Sequence, residues 1–352
     1  MLYPGFISGS YESQSPLADL ERTVNWYPEP IEPRSVPWES ALYPCPGFEE
    51  YVTLSNVNTR ALFSMGGRVY GVIGDSVYKF TASHSATVVT DGTVTNNPNP
   101  AQIASNGDAG GELLIASGEN GYLLNIASNT LSAISALSGK CTMAGMIDGY
   151  FLSFDASDSK FYISELNDGT TWDATQIAQR TAGSDPWQAM VVAHRDIWLF
   201  GTQTTEVWYN AGTSPFPFAP IPGAFLEEGI VAPFSAQRFG NTVVWLGRSE
   251  EGAGVVYMAN GYAPQRISTH AVEFAIQGYA RAGMTISDAV AFTYQEDGHV
   301  FYVLNFPSAK ATWVFDGTTQ LWHERGTWNA TEQSEVAPRR EARFSSPVYC
   351  SH

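Results

Sequence analysis

Cysteine is scarce in this sequence. The 352 residues include Cys45, Cys141 and Cys350, and no two of them form a C-x-x-C pair. An odd number of cysteines at such wide spacing predicts neither a disulfide framework nor a structural zinc site. The six histidines are equally dispersed, with no pair at the spacing of metal ligands on one strand or helix. We therefore expect no resident metal and no other cofactor.

Basic residues are also few. Lys and Arg total 18 against 35 Asp and Glu, which gives a net charge of −17. Tight binding to phosphates needs clustered cations, so this composition excludes a sequence-reading nucleic-acid binder. DNA can still pass an acidic surface without sticking to it, because like charges suppress contact.

Long apolar runs and a secretion signal are missing as well. No run approaches the length needed to span a bilayer. The N-terminal residues MLYPG lack the basic start and apolar stretch of a signal peptide. We expect a protein without a membrane segment that is synthesised in the cytoplasm.

Catalytic motifs such as GxGxxG, the P-loop, HExxH and GxSxG do not occur where their mechanisms would require them. The acidic pairs at 49–50, 227–228 and 250–251 fall in predicted loops, whereas glycan hydrolysis needs two carboxylates facing one pocket. Asp155 and Asp158 share one turn, but the graded ligands and distal Glu of a calcium loop are missing. A solvated hairpin tip is the preferred interpretation, and we predict no catalytic, cofactor-binding or metal-binding residues.

The sequence does contain a repeat. From residue 51 an apolar run, a short polar or glycine-containing turn and a second apolar run recur, with first runs starting 37 to 57 residues apart. This spacing is typical of four-stranded propeller blades. The predicted central hairpins pair residues 69–73 with 77–80, 113–116 with 122–126, 150–154 with 161–166, 197–200 with 206–209, 243–246 with 255–258, and 300–306 with 312–315.

The predicted fold class is all-β, a β-propeller of about six blades with an extended N-terminal arm. Asn-Gly and Asp-Gly pairs, among them Asn120-Gly121 and Asp148-Gly149, favour the positive φ angles of type I′ hairpin turns. A β-sandwich with long loops is the alternative, but it would not show a steady period. One helix is predicted within residues 268–282, where small and apolar residues recur at helical spacing.

Residues 1–50 differ from the rest. Prolines at 28, 30, 33, 37, 44 and 46 remove backbone donors and disfavour helix and central strand, which predicts an extended arm. Its aromatic side chains need burial against the body of the protein or a neighbouring chain. Residues 51–328 are then the propeller, and 329–352 form a polar C-terminal segment with the pattern of the start of a further β segment.

Residues 167–172, NDGTTW, resemble the Asp box of sialidase-type propellers, with Asn in place of the first Asp. In those folds the box is a turn device remote from the active site. The resemblance supports the propeller fold and predicts no activity.

Three further groups of segments, one near the N-terminus, one in the middle and one late in the chain, are more specific. They are RTVNWYPE (22–29) with LYPCPGF (42–48), RDIWLFG (195–201) with TEVWY (205–209) and FLEEGI (225–230), and WVFDGTTQLWHE (313–324). Together they resemble the packaged-DNA stabilisation proteins, the tail hub or nozzle proteins of short-tailed bacteriophages. The resemblance covers the chain from about residue 20 to 328.

The resemblance implies a structural protein of the virion tail, not an enzyme, made in the host cytoplasm. It implies a homo-oligomeric ring, a hexamer, below the portal and head-to-tail adaptor, which retains packaged DNA and forms part of the ejection channel. DNA would pass this channel non-specifically, and a tail needle or plug and receptor-binding fibres or spikes would be further partners. The predicted interface residues of the arm are Arg22, Asn25, Trp26, Tyr27, Glu29, Trp38, Pro46 and Phe48.

Two other functions remain open from the sequence. A propeller that binds or hydrolyses carbohydrate would carry an aromatic and carboxylate-lined pocket at one end of its axis. A host scaffold propeller is the third possibility, and it would be favoured by a gene outside any phage cluster.

Overall fold

The computed structural model describes residues 9–12, 20–31, 40–47, 51–54, 58–81, 83–89, 92–249, 252–329 and 334–336. Regular structure in these residues is mostly antiparallel β-sheet. Two short pairs form the arm, β1 (Tyr11–Glu12) with β2 (Leu20–Glu21), and β3 (Trp26–Pro30) with β4 (Ser40–Pro44). The arm is therefore extended, and a two-stranded ladder tolerates its prolines because both strands have an open edge.

Four sheets of four strands follow in chain order, and strands adjacent in sequence are adjacent in each sheet. The first has β5 (Thr59–Met65), β6 (Arg68–Ile73), β7 (Ser76–Thr81) and β8 (Ser85–Val88), and the second β9 (Gln102–Ser105), β10 (Glu112–Ser117), β11 (Asn120–Asn125) and β12 (Thr130–Ala133). The third has β13 (Met143–Ile147), β14 (Tyr150–Asp155), β15 (Lys160–Glu165) and β16 (Asp168–Gln179), and the fourth β17 (Trp187–Ala193), β18 (Asp196–Gly201), β19 (Thr205–Asn210) and β20 (Phe218–Leu226).

The later part of the chain repeats this pattern twice. The fifth sheet has one strand more, and it contains the short β21 (Gly229–Ile230), β22 (Gln237–Phe239), β23 (Thr242–Ser249), β24 (Gly252–Asn260) and β25 (Ala263–Arg266). The sixth contains β26 (Val290–Glu296), β27 (His299–Phe306), β28 (Ala311–Asp316) and β29 (Trp322–Glu324), and a last pair joins β30 (Thr327–Asn329) to β31 (Ser334–Val336).

Helices are short in the described part of the chain. They are α1 (Gly107–Gly110), α2 (His270–Arg281) and two 3₁₀ turns, Ser135–Leu137 and Pro233–Ser235. The α2 helix lies inside the predicted segment 268–282. Thr269 precedes it, and its side chain accepts a hydrogen bond from the Val272 amide, a typical N-cap.

All six predicted hairpins are confirmed as the second and third strands of their sheets. The turn prediction is correct at Asp148-Gly149, where both φ angles are positive, 49° and 88°. It is wrong at Asn120-Gly121. There Gly118 and Glu119 make the turn with φ of 58° and 66°, and Asn120 already pairs with Ser117. The pattern missed this shift because Gly118 meets the same conformational need two residues earlier.

A capping contact recurs before the first strand of a sheet. Asp185 precedes β17, and its Oδ2 accepts a hydrogen bond from the Thr204 amide at 3.1 Å, in the turn between β18 and β19. Asp288 precedes β26 and accepts from the Ser308 amide at 2.9 Å, in the turn between β27 and β28. In each case one carboxylate ties the entry of a sheet to its own central turn.

The described residues divide into two compact units. One runs from 51 to 230 and includes residues 261–263; it holds the first four sheets. Its core is layered, because alternate residues of β10 point to opposite faces. Leu113 and Ile115 pack with the first sheet, while Leu114 packs with the third.

The other unit holds the arm, α2 and the last two sheets. Its main core packs β23 and β24 against β27, β28 and α2. Two fully buried side chains at its centre are Val272 of α2 and Leu304 of β27.

Arg60 is a buried cation of the unit that holds the first four sheets, which is called the first unit below. Its Nη1 donates to the Gly74 carbonyl at 3.1 Å, the Thr95 carbonyl at 2.8 Å and Ser117 Oγ at 2.8 Å, and its Nε donates to the Asn99 carbonyl at 2.9 Å. These partners come from the first sheet, the second sheet and the link between them. One guanidinium therefore joins two consecutive sheets.

We predict that Arg60→Met lowers the free energy of unfolding by about 3 kcal/mol, because three carbonyl oxygens lose a charged donor in a buried site. Urea unfolding followed by tryptophan fluorescence measures the change. Arg68→Met is the matched control, since Arg68 is exposed on β6, and it should change stability by less than about 0.5 kcal/mol. Equal losses in the two variants would contradict the assigned role.

Candidate arm interface

The sixth sheet has two apolar faces. Along β27, Tyr302, Leu304 and Phe306 belong to the main core of their unit, while Phe301 and Val303 belong to a second cluster on the opposite face. Successive residues of a strand point to opposite faces. Both faces of β27 therefore need an apolar cover, and on the second face the arm provides it.

Tyr27 is the centre of that cover. Its side chain is 6% exposed, and its ring lies 5.0 Å from the His299 ring and 5.4 Å from the Phe301 ring, both edge-on. Tyr43, its partner across the β3–β4 ladder, stacks on it at 6.1 Å. Edge-to-face and offset geometries of this kind are the favoured ones for aromatic pairs.

The arm also continues the sixth sheet at its edge. Val24 makes a parallel bridge to Glu324 of β29. The Asn25 amide donates to the Glu324 carbonyl and the Glu324 amide donates to the Thr23 carbonyl, each at 2.9 Å. These bonds occupy backbone groups that an edge strand would otherwise leave open.

Asn25 turns the chain at this point. Its φ of 59° lies in the left-handed region, which Asn tolerates better than most residues. Its side-chain amide donates to the Gly326 carbonyl at 2.8 Å, and its Oδ1 accepts from the Gly326 amide at 3.1 Å. The side chain thus replaces one step of strand pairing.

Arg22 and Glu324 form a bidentate ion pair. Arg22 Nε donates to Oε1 at 2.9 Å and Nη2 donates to Oε2 at 2.6 Å. The Arg22 side chain is 44% exposed, so the pair contributes only about 1 kcal/mol or less. Its main effect is to orient the arm.

Glu29 and Asp316 hold the two sides of one imidazole. His299 Nδ1 lies 2.7 Å from Asp316 Oδ2, and His299 Nε2 contacts Glu29 Oε2. Burial on its own would lower the pKa of His299, but the hydrogen bonds and charges of Asp316 and Glu29 outweigh it and raise the pKa. Asp316 is fully buried and also accepts from the Thr318 amide at 2.9 Å, which fixes the turn before β29.

The pKa of a second histidine in the cluster shifts in the opposite direction. His323 is fully buried, and burial together with the positive charges of Arg325 and His299 lowers its pKa to about 3. Its Nε2 lies 3.7 Å from Cys45 Sγ. Burial raises the pKa of the Cys45 thiol, which favours the protonated sulfur at neutral pH.

The structure places the predicted arm residues as follows. Arg22, Asn25, Tyr27 and Glu29 contact the sixth sheet of their own chain. Trp26 is 45% exposed and Pro46 is exposed; Trp38 and Phe48 lie outside the described residues. That these residues contact a neighbouring subunit stays a prediction.

Sequence reasoning missed His299, Glu324 and Gly326, which contact the arm. It also missed Asp316, which binds the other ring nitrogen of His299. The signal was present in part, since the segment WVFDGTTQLWHE contains two of these residues. Nothing in the sequence pairs them with an arm some 300 residues earlier.

The turn that contains Asp155 and Asp158 forms its own hydrogen bonds and ion pair. Asp155 is buried, and its Oδ1 accepts from the Ser157 and Asp158 amides at 3.0 and 3.3 Å. Asp158 pairs with Lys160 at 2.9 Å. Within the described ranges no cluster of three or more His, Cys, Asp or Glu side chains has the placement of a metal site.

The NDGTTW segment is also a turn device, as predicted. Asp168 Oδ1 accepts a hydrogen bond from the Thr170 amide at 2.8 Å. The hydrogen bonds that Thr170 donates from its side chain and its backbone lower the pKa of Asp168. Trp172 Nε1 donates to the Gly169 carbonyl at 2.8 Å. The motif closes the start of β16 onto itself.

Carboxylates are nearly absent from the first strands of the six sheets, within the part of the chain that the structure describes. The strands β5, β9, β13, β17 and β22 contain none, and β26 has Glu296 at its last residue. Of the three acidic pairs, only Glu227 and Glu228 are described. Burial, and secondarily Glu227, raise the pKa of Glu228. These strands offer no pair of carboxylates for glycan hydrolysis.

None of the described helices is long and apolar enough to cross a membrane.

We predict that Tyr27→Ala lowers the free energy of unfolding by about 3 kcal/mol, because it uncovers one face of β27 and leaves a cavity. Trp26→Ala removes the neighbouring, half-exposed aromatic and should cost less than about 1 kcal/mol. Chemical unfolding of the two variants measures the difference. Equal costs would show that the arm does not cover the sixth sheet in solution.

We predict a loss of stability in acid that depends on His323. Its folded pKa of about 3 lies below the ordinary value near 6.5, so the unfolded chain binds the proton more readily. Stability is fully present above about pH 6.5 and falls by up to about 1.4 kcal/mol per pH unit as the pH drops toward 3.

The measurement is urea unfolding from pH 7 to pH 4. His323→Leu should show a shallower decline than the wild type, and His270→Gln, at an exposed position, should keep the wild-type decline. A decline unchanged in His323→Leu would assign the acid sensitivity to the carboxylates.

Comparison with known proteins shows the family of the chain. A family model described as Bacteriophage P22 Gp10, beta-propeller, matches residues 13–351. No curated protein sequence matches. Among solved structures, YCF48 from Cyanidioschyzon merolae is similar with a TM-score of 0.49 at 11% identity, covering 81% of this chain and 88% of that one.

PorZ, a bacterial surface component of the type-IX secretion system of Porphyromonas gingivalis, gives a TM-score of 0.44 at 12% identity over 75% of this chain. This chain spans 32% of the length of PorZ. The family match covers nearly the whole sequence, arm included, and confirms the resemblance. With the six antiparallel sheets, it also confirms the all-β propeller of about six blades. This chain therefore belongs to the phage stabilisation family, the β-propeller family of Bacteriophage P22 Gp10.

Proposed function

We propose that this chain is a subunit of a phage tail hub, a ring below the portal and its adaptor that retains packaged DNA and forms part of the ejection channel. As a member of its family, the chain is a phage structural protein and a component of the virion. The observation that carries the proposal is the family match over residues 13–351. The position in the tail, the ring and its six-fold order are the proposed steps beyond it.

The charge of the chain supports a conduit for DNA. With a net charge of −17 and 18 basic residues, the protein repels the phosphate backbone more than it binds it. Retention of DNA by such a ring is a matter of geometric closure, and ejection requires no bound strand to be released. The net negative charge of the chain disfavours adhesion of DNA to such a ring during its passage.

The arm supports assembly into a ring. Residues opposite each other in an antiparallel ladder share a face, so Trp26 and its partner Pro44 lie on the face opposite Tyr27. Tyr27 points toward the sixth sheet, whereas Trp26 is 45% exposed and Pro44 is exposed. Half-exposed tryptophans of this kind are frequent anchors of protein interfaces. We propose that this outer face of the arm contacts the neighbouring subunit or the adaptor.

The family function is tested by removing the gene from the phage that encodes the protein. Particles without the protein should package DNA, lose it to added nuclease, and lack a ring below the portal in electron micrographs. Complementation with the wild-type gene should restore both. Particles that keep nuclease-resistant DNA without the protein would overturn the proposal, as would cleavage of a host polysaccharide by the purified chain.

The outer face of the arm is tested in the same complementation. Trp26→Ala should reduce the number of copies per particle several-fold while lowering the free energy of unfolding of the free protein by less than about 1 kcal/mol. Leu166→Ala, which trims a 54% exposed side chain of the first unit, is the matched control and should assemble normally. Normal assembly of Trp26→Ala would remove this face from the proposed ring contact.

A further inference from the structure

The buried imidazole of His299 lies where the arm meets the sixth sheet. It is the first residue of β27, it is 3% exposed, and its ring stacks on Phe301 at 5.6 Å. Each ring nitrogen faces a carboxylate oxygen, Nδ1 toward Asp316 and Nε2 toward Glu29. One carboxylate belongs to the sheet and the other to the arm.

A carboxylate accepts hydrogen bonds, and a neutral imidazole has a single N–H to donate. Only the protonated imidazolium, with two N–H donors, satisfies both carboxylates at once. When His299 loses its proton, one carboxylate loses its donor, and two negative charges face each other across an uncharged ring. The arrangement therefore favours the closed arm in one protonation state and opposes it in the other.

The two carboxylates differ in how easily they can leave. Asp316 is fully buried and also binds the Thr318 amide and the Thr319 hydroxyl, so it keeps its place and the remaining N–H. Glu29 has a side chain that is 38% exposed and sits on the short β3–β4 ladder. Water can take over the hydrogen bonds of Glu29, and the arm is the part that moves.

Other charged and titratable groups surround the imidazole. Glu296 ends β26, and Asp297 lies in the turn before β27. His323 and Arg325 lie on and after β29, and both Tyr27 and Cys45 belong to the arm. His323 is neutral at neutral pH, because burial and two nearby cations lower its pKa to about 3. Burial raises the pKa of both Tyr27 and Cys45. His299 is the group of this cluster with a carboxylate oxygen at each ring nitrogen, so the loss of its proton changes the charge between Glu29 and Asp316.

We propose that Glu29, His299 and Asp316 form a pH-sensitive latch, which holds the arm on the sixth sheet while His299 is protonated and loosens it when the proton leaves. The pKa of His299 is raised in the closed state. Its contribution to closure is therefore fully present below the ordinary histidine value and is lost as the pH rises through the raised value. The contacts of Arg22, Asn25 and Tyr27 remain, so the hairpin loosens without the arm departing altogether.

The test is hydrogen–deuterium exchange of the full-length protein between pH 6 and pH 9, with each rate divided by the intrinsic rate at the same pH. Protection of a peptide spanning residues 24–31 should fall several-fold over this range. A peptide of the β10–β11 hairpin in the other unit is the internal reference, and its protection should stay constant.

Two variants identify the titrating group. In Glu29→Gln the new amide donates to the neutral ring, so the arm should stay protected at pH 9. His299→Gln cannot be protonated, and its arm should show low protection at every pH. His270→Gln, outside the cluster, should keep the wild-type profile.

Glu29→Gln changes a partly exposed residue and conserves its shape, so it reports even where His299→Gln fails to fold. A flat wild-type profile would overturn the latch. An unchanged fall in Glu29→Gln would also overturn it and would point to Cys45 or Tyr27. Neither result bears on assembly into virions, so the proposed function stands or falls separately.

Discussion

The sixth sheet depends on one physical constraint, which is that β27 is apolar on both faces. A strand of this kind is stable only when both faces are removed from water, since each buried large side chain contributes roughly 1.5–3 kcal/mol. One face packs into the core with α2, β23 and β24. The other is covered by Tyr27 and Cys45 of the arm. The same constraint governs β10 in the first unit, where neighbouring sheets supply both covers.

The polar contacts of the arm follow from that apolar cover. The chain just before Tyr27 runs along the edge of β29, and its backbone completes the ladder through Asn25 and Thr23. Arg22 and Glu29 then meet charged partners at the rim of the contact. The apolar contact supplies most of the stability, and the ionic contacts fix the register and make it depend on pH.

Much of the fold could be predicted from the sequence, because a central hairpin is a local object. Its two strands, its turn and its alternation lie within about 20 residues, and all six hairpins were found. The failure at Asn120-Gly121 was also local, because Gly118 and Glu119 compete for the same turn. Local pattern does not distinguish two glycine-containing turns two residues apart.

The candidate site was only half predictable. The arm was recognised by its prolines and aromatics, and Arg22, Asn25, Tyr27 and Glu29 all make specific contacts. Their partners could not be predicted from local pattern, since the Arg22–Glu324 pair spans 302 residues and no periodicity connects its ends. The opposite pKa shifts of His299 and His323 were equally invisible, because they arise from burial and from charges that only the folded chain brings together.

The parallel bridge between Val24 and Glu324 has a consequence for biosynthesis. The residues that complete the sixth sheet leave the ribosome about 300 residues before the strand they complete. At about 5–20 residues per second, the arm waits roughly 15–60 s for its partner. Throughout that time the nascent chain carries an unpaired strand and a bare tyrosine. Closing so long a loop is entropically costly, so docking of the arm should be a late step of folding. Until that step, the unpaired strand and the exposed tyrosine remain accessible to chaperones.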